Sequence, residues 1–304
     1  MNDLLPLFVN NILPILIAAG LGYALQKRFQ FDLQGLTAAI FYILTPALIL
    51  VLLVETEASA EDMLRLMAVG VIVITTTTLL GWLIGSIARL PSQLTASLIL
   101  TSAFMNAGNY GLSLNHFAFG AEGLAWASVY FMASAVMTSS LGVYVAQAGK
   151  MSPGKALIGI LKVPLVWAIP VAVIIRAFEV EIPLGLWRPI EVLSDATIPM
   201  LLLLLGMRIA QSGLPTRLPL LGLAVGLRLV VGPALAWLAG SMIGLEGLTA
   251  KVAVVESAMP TAVLTTVVAA EFDLEPEFVT GVVLATTLLS PLTVTPILAL
   301  LGAG

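Results

Sequence analysis

The chain has 304 residues, 60% of them apolar and 10% charged, with a mean hydropathy of +1.08 and a formal net charge of −4. That leaves too little polar surface to cover a water-soluble fold of this length, so the chain reads as an integral membrane protein. It has no cysteine and one histidine, His116, which excludes disulfides, thiolate metal sites and histidine clusters; an enzyme would be left with acid-based chemistry only.

Apolar runs long enough to cross the hydrocarbon core fall at roughly 4–25, 34–54, 65–88, 94–115, 122–147, 155–177, 188–210, 218–243, 248–271 and 277–302. These ten predicted spans leave no room for a soluble domain. The first is preceded by Asp3 and followed by Lys27 and Arg28, the reverse of a secretory signal's charge order, and is expected to stay in the mature protein. Connections after spans one, three, five and seven carry Lys27, Arg28, Arg89, Lys150, Lys155, Lys162, Arg208 and Arg217. The opposite side carries Glu55, Glu57, Glu61, Asp62, Glu122 and Glu246. Basic residues mark the cytoplasmic side, so both termini are expected to be non-cytoplasmic, in a multi-pass protein of the cell membrane.

The segments Thr95–Asn106 and Thr249–Pro260 resemble each other 154 positions apart. Trp82 pairs with Trp237, Pro46 with Pro199, and Met132-Ala133-Ser134 with Leu284-Ala285-Thr286, at offsets of 152 to 155. Half-length self-similarity is the mark of a duplicated unit. Five spans per copy is an odd number, so halves 1–150 and 151–304 enter the membrane from opposite sides as an inverted repeat. The join is expected around Lys150 to Lys155, where Gly149, Ser152, Pro153 and Gly154 form turns.

Each copy holds a helix breaker at matching depth. In span four, Asn106-Ala107-Gly108-Asn109-Tyr110-Gly111 combines poor helix formers with asparagines that compete for backbone hydrogen bonds, and unwinding is expected there, at Gly108 and Gly111. In span nine, Pro260 removes a backbone donor and is expected to free the carbonyl near Glu256. Irregular backbone survives in a membrane only inside protein or against water, so two such breaks predict a shared polar site.

The half-helices that begin after the breaks present N–H groups and positive dipole ends. These suit an anion, most simply a carboxylate, with Asn106, Gly108, Asn109, Tyr110, Gly111, Ser257, Pro260 and Thr261 as its expected surroundings. The half-helices that end there present carbonyls, which suit a cation or a proton carrier: Glu256 with Ser102 is the expected seat of a coupling ion, a proton or sodium. An acid so deep is costly. It either carries function or pairs with Arg228 or Lys251; Arg228 in turn either pairs with it or attracts substrate. Beyond a sodium ion at Glu256 no metal or other cofactor is expected. Thr75 to Thr78 reads as packing, with hydroxyls bonded back within the helix. His116 reads as interfacial, Asp195 as a solvated or helix-start acid, and the acids from Glu271 to Glu277 as a solvated connection.

At Glu256-Ser-Ala-Met-Pro260, Ala269-Ala-Glu-Phe-Asp-Leu-Glu-Pro276, Leu289-Ser-Pro-Leu292, Asn106 to Gly111 and Leu205-Gly206-Met207, the chain resembles the auxin efflux carrier family, which includes plant PIN-formed carriers and bacterial malate and malonate permease-like proteins. The resemblance implies an all-α membrane fold of ten helices, with spans one, two, six and seven as scaffold and dimer platform. The other six form a moving transport unit in which spans four and nine cross. It implies an elevator-type secondary transporter of small organic anions (malate, malonate or indole-3-acetate), coupled to a proton or sodium. The expected partners are that anion, the lipid bilayer and a second copy meeting through spans two and seven, with no nucleic acid. Two departures stand out. Ser113 replaces a proline common after the span-four break, and an acid at Glu256 replaces the plant carriers' glutamine. The alternative is a sodium-coupled anion symporter resembling bile acid symporters.

Overall fold

The computed structural model describes residues 4–55, 59–147, 164–211 and 217–303. Among the described residues the structure is helical apart from one isolated bridge. In chain order the helices are α1 (Leu4–Phe29), α2 (Leu33–Glu55) and α3 (Ala60–Ile87), α4 (Ser92–Ala103), α5 (Ala107–Ala146), α6 (Pro164–Ala177), α7 (Leu184–Ala210) and α8 (Leu218–Met242), α9 (Gly247–Ser257), α10 (Leu264–Glu271) and α11 (Pro276–Leu300). The join expected from Gly149 to Lys155, together with Lys162 and Glu57, lies outside the described residues.

Among the described residues seven helices, α1, α2, α3, α5, α7, α8 and α11, are long and apolar enough to cross a membrane. The difference from ten expected runs has local causes. α4 stops after 12 residues, α9 and α10 are two short pieces of the expected ninth run, and the start of the sixth run is not among the described residues. Conversely, α5 covers 40 residues, about 60 Å if straight, twice the hydrocarbon thickness. It bends at Gly120, whose φ of 69° and ψ of −158° are open only to glycine without strain.

Trp82 and Trp237, paired by the repeat, both remain exposed along with Ile87 and Leu288. A surface of large apolar side chains is the inverse of a water-soluble one and suits lipid. Packing divides the helices into two groups. α7 lies along α1 and touches α2, which packs on α6; α3 packs on α4, α5 and α8, and α9 packs on α5 and α8. The groups meet where α5 touches α1, α2 and α7, and where α11 touches α1.

Without a hydrophobic force between helices in lipid, close backbone approach supplies the packing energy. At α1 and α7 it is reciprocal: a methyl at Gly22 would collide with the carbonyl of Leu203, and one at Gly206 with the carbonyl of Ala19. Gly206→Ala must push two backbones apart, a cost of about 1–3 kcal/mol or more. Purified Gly206→Ala is expected to melt well below wild type, whereas Gly35→Ala, which meets nothing within 4 Å, should not.

Candidate functional site

The two broken helices clasp each other through their backbones. α4 ends at Ala103 and the chain turns extended at Phe104; α9 ends at Ser257. Met105 and Thr261 then form an antiparallel bridge. The N–H of Asn106 donates to the Pro260 carbonyl at 2.7 Å, and that of Ala262 to the Phe104 carbonyl at 2.9 Å. The Thr261 N–H donates to the Thr286 hydroxyl at 3.1 Å, and its own hydroxyl to the Thr101 carbonyl at 2.6 Å. Buried irregular backbone thus finds partners within the protein, as a membrane interior requires.

The break in the first copy falls earlier than the asparagines and glycines suggest. Residues 104 to 106 leave the helix because they pair with residues 260 to 262, while Ala107–Leu112 coils in wide π-type turns. Gly111 is needed for space: its Cα faces the Glu256 carboxyl group, where a methyl would overlap both oxygens.

The carbonyls expected to be free are occupied. Arg228, fully buried on a wide turn of α8, donates through Nη1 to the carbonyls of Ser102 at 2.8 Å and Ala103 at 3.1 Å, and through Nη2 to that of Ser257 at 2.5 Å. One guanidinium therefore caps the negative C-terminal ends of α4 and α9 together. The Glu256 carbonyl accepts from the Met259 N–H. Glu256 itself, fully buried, accepts at Oε1 from Asn115 Nδ2 at 2.9 Å, and its Oε2 has no hydrogen-bond partner. The pairing of Glu256 with Arg228 or Lys251 is not found: the ion pairs among the described residues are Arg65–Glu61 and Arg217–Glu275.

Beside the clasp lies a cavity of about 140 Å³. Gly108 and Asn109 line it from the first turn of α5, Val263 and Leu264 from the N-cap and first residue of α10, and Thr37 and Arg208 from α2 and α7. Two helix N-termini therefore face one space, with their outward N–H groups and positive partial charge. Asn106 also lines it. Its side chain is 5% exposed and its Nδ2 has no hydrogen-bond partner, a costly arrangement unless something in the cavity accepts from it.

Of the residues expected around an anion, Asn106, Gly108 and Asn109 line this cavity; Pro260 and Thr261 build the clasp behind it. Tyr110, Gly111 and Ser257 do not line it. The Tyr110 hydroxyl accepts from Ser290 at 3.4 Å and the Ser257 hydroxyl is 2.7 Å from that of Tyr130. Ser102 donates its hydroxyl to Leu98 within α4. Thr77 bonds back to Val73 at 2.8 Å as expected, whereas the buried Thr78 hydroxyl has no hydrogen-bond partner. Sequence reading missed Asn115, although it stands four residues after Gly111 and so on the same helix face. It also counted Arg208 only as a loop cation.

An all-helical, multi-pass membrane protein whose two broken helices clasp beside a cavity lined by helix N-termini has the build of a transporter. The chain belongs to the membrane transport protein family, whose profile matches residues 7–298; this is a family of transporters, not enzymes. It is similar to uncharacterised transporters of Methanothermobacter thermautotrophicus (29% identity, 92% of this chain and 94% of the relative) and Methanocaldococcus jannaschii (27%, 93% and 95%). It is also 30% identical to auxin efflux carrier component 4 of Arabidopsis thaliana over 42% of this chain and 21% of that protein, in keeping with the resemblance read from its motifs.

Proposed function

We propose that the protein is a secondary transporter of small organic anions bearing a carboxylate. The unit of α3 to α5 and α8 to α11 would move against α1, α2, α6 and α7. In this reading the chain crosses the membrane ten times as two inverted halves, 1–150 and 151–304, with both termini outside the cytoplasm and a homodimer formed through α2 and α7. The observation that carries it is the cavity where the N-termini of α5 and α10 converge on the unpartnered Nδ2 of Asn106. An anion satisfies all three at once, and the carboxylate named by the chain's resemblance is the simplest such group.

For coupling we favour a proton over sodium. A sodium site at Ser102 and Glu256 would need carbonyl oxygens that Arg228 already engages. The guanidinium acts there as a tethered cation. Glu256 keeps one oxygen without a donor, and a proton fits that place with no further ligand. Glu256 does not line the Asn106 cavity, so it would sense the site through Gly111 and Asn115 rather than by touching the anion.

The test is uptake of labelled malate, malonate or indole-3-acetate into proteoliposomes under imposed pH and sodium gradients. Wild type is expected to respond to the pH gradient and not to the exchange of sodium for potassium. Glu256→Gln should lose the pH response while still exchanging substrate across the membrane. A variant with the wild-type pH response would remove Glu256 from coupling, and a wild type driven by sodium would favour the symporter reading.

A further inference from the structure

The two copies of the repeat end α3 and α8 in the same left-handed turn. After α3 the N–H of Arg89 donates to the Ser86 carbonyl at 3.2 Å and that of Leu90 to the Gly85 carbonyl at 2.9 Å. After α8 the N–H of Gly244 donates to Ser241 at 3.4 Å and that of Leu245 to Gly240 at 2.8 Å. The residue at the turn has a φ of 53° in the first copy and 70° in the second. Glycine takes that conformation without strain, and the second copy uses it; the first copy places an arginine there. A side chain kept against its backbone preference points to a use outside the turn.

Arg89 lines a hollow of about 690 Å³ between the end of α3, the start of α4 and the last turns of α5, together with Trp82, Ser86, Ser92, Thr95 and Tyr144. Trp82, Ser86 and Arg89 are spaced by four and three residues, so one wall grades from an aromatic ring to a cation over about 10 Å. Trp82 and Tyr144 are both exposed, as rings at the level of lipid headgroups are. Arg89 is in neither ion pair found among the described residues. Arg217 engages Glu275, and Asp273 lines a neighbouring hollow across Ser92. In the sequence, the charged residues from 148 to 163 are Lys150, Lys155 and Lys162, so that connection brings no acid to compete for the guanidinium. α4 begins at Ser92 with no side-chain cap, and its first N–H groups add positive partial charge beside Arg89. Trp237, the equivalent of Trp82, lines a groove without a charged residue, and the connection after α8 carries Glu246 instead.

We propose that the hollow beside Arg89 is a binding site for an acidic phospholipid, with the headgroup phosphate on the guanidinium and an acyl chain lying past Trp82. A free phosphate would use the cation and leave the aromatic wall uncovered. A zwitterionic lipid would cover the wall but bring an ammonium group toward the cation. An acidic lipid suits both ends, and acidic lipids are enriched in the cytoplasmic leaflet, the side on which the basic connections are expected. The hollow shares no lining residue with the Asn106 cavity, so the inference does not depend on the carboxylate reading.

The experiment follows the melting point of the purified full-length protein in neutral detergent during titration with dioleoylphosphatidylglycerol, dioleoylphosphatidylcholine or inorganic phosphate. It is repeated on Arg89→Gly, which gives the first copy the residue of the second and should keep the fold, and on Arg28→Gln, which removes an exposed cation outside the hollow. Wild type is expected to respond to phosphatidylglycerol at about tenfold lower concentration than to phosphatidylcholine, the effect of one hydrogen bond to a charged group. Arg89→Gly should close that gap and Arg28→Gln should keep it. Equal responses of wild type to the two lipids would overturn the inference, whether or not Arg89→Gly folds. An Arg89→Gly protein with the wild-type gap would overturn it, as would an Arg28→Gln protein that loses the gap equally, since diffuse surface charge would then explain the preference. Inorganic phosphate that stabilises wild type as well as phosphatidylglycerol does would replace the lipid with a free anion and overturn it too.

Discussion

Arg228→Met is expected to abolish the folded protein. The side chain is fully buried and supplies three hydrogen bonds to carbonyls of two different helices. Methionine fills similar space but leaves the Ser102, Ala103 and Ser257 carbonyls without donors, in a medium that has no water to replace them. Removing one partner of a buried charged contact costs about 3–5 kcal/mol, a large part of the about 5–15 kcal/mol that holds a typical fold. Arg228→Lys keeps a charge and loses the fork that reaches both helices, so it should fall between. Fluorescence-detected size-exclusion yield and melting point of the three proteins measure this. A methionine variant that is monodisperse and melts like wild type would mean that the clasp does not depend on the guanidinium. Gly232 contributes in the same direction, because a methyl there would strike Nη2.

Much of this was legible in the sequence, and the limits have physical causes. The paired breaks were visible because proline, asparagine and glycine contradict helix formation wherever they occur. The position of the first break was not, since Phe104 and Met105 have nothing against a helix and leave it only because residues 260 to 262 offer an edge to pair with. Glu256 and Arg228 stood out as ionisable groups deep in apolar runs. What they bind did not, because opposite charges invite a pairing guess, whereas three carbonyls converging from α4 and α9 have no signature in spacing. Arg208 was hidden by its place next to a polar connection, where a cation reads as a topology signal. The Leu205-Gly206-Met207 motif marked the neighbourhood, but the place of Arg208 in the cavity wall appears only once α7 is packed against α2 and α5. The repeat predicted Trp82 and Trp237 as equivalents, and both face outward.

Asn106→Ala bears most directly on the central claim, that the anion binds where the two broken helices clasp. The variant removes a buried side-chain donor at the cavity that has no hydrogen-bond partner. It leaves the Asn106 N–H and its bond to Pro260 in place. The fold is therefore expected to survive, because no protein contact of Nδ2 is lost and a costly unpaired group disappears. Binding should suffer, since one hydrogen bond to a charged group contributes about 1.5–3 kcal/mol, or roughly ten- to a hundredfold in affinity. The measurement is the ligand-induced thermal shift of wild type and Asn106→Ala, titrated with the carboxylate that binds wild type best. Normal yield and an unchanged or raised ligand-free melting point are expected, with half-saturation moved to about ten- to a hundredfold higher concentration. An Asn106→Ala protein that binds the same carboxylate as tightly as wild type would contradict it.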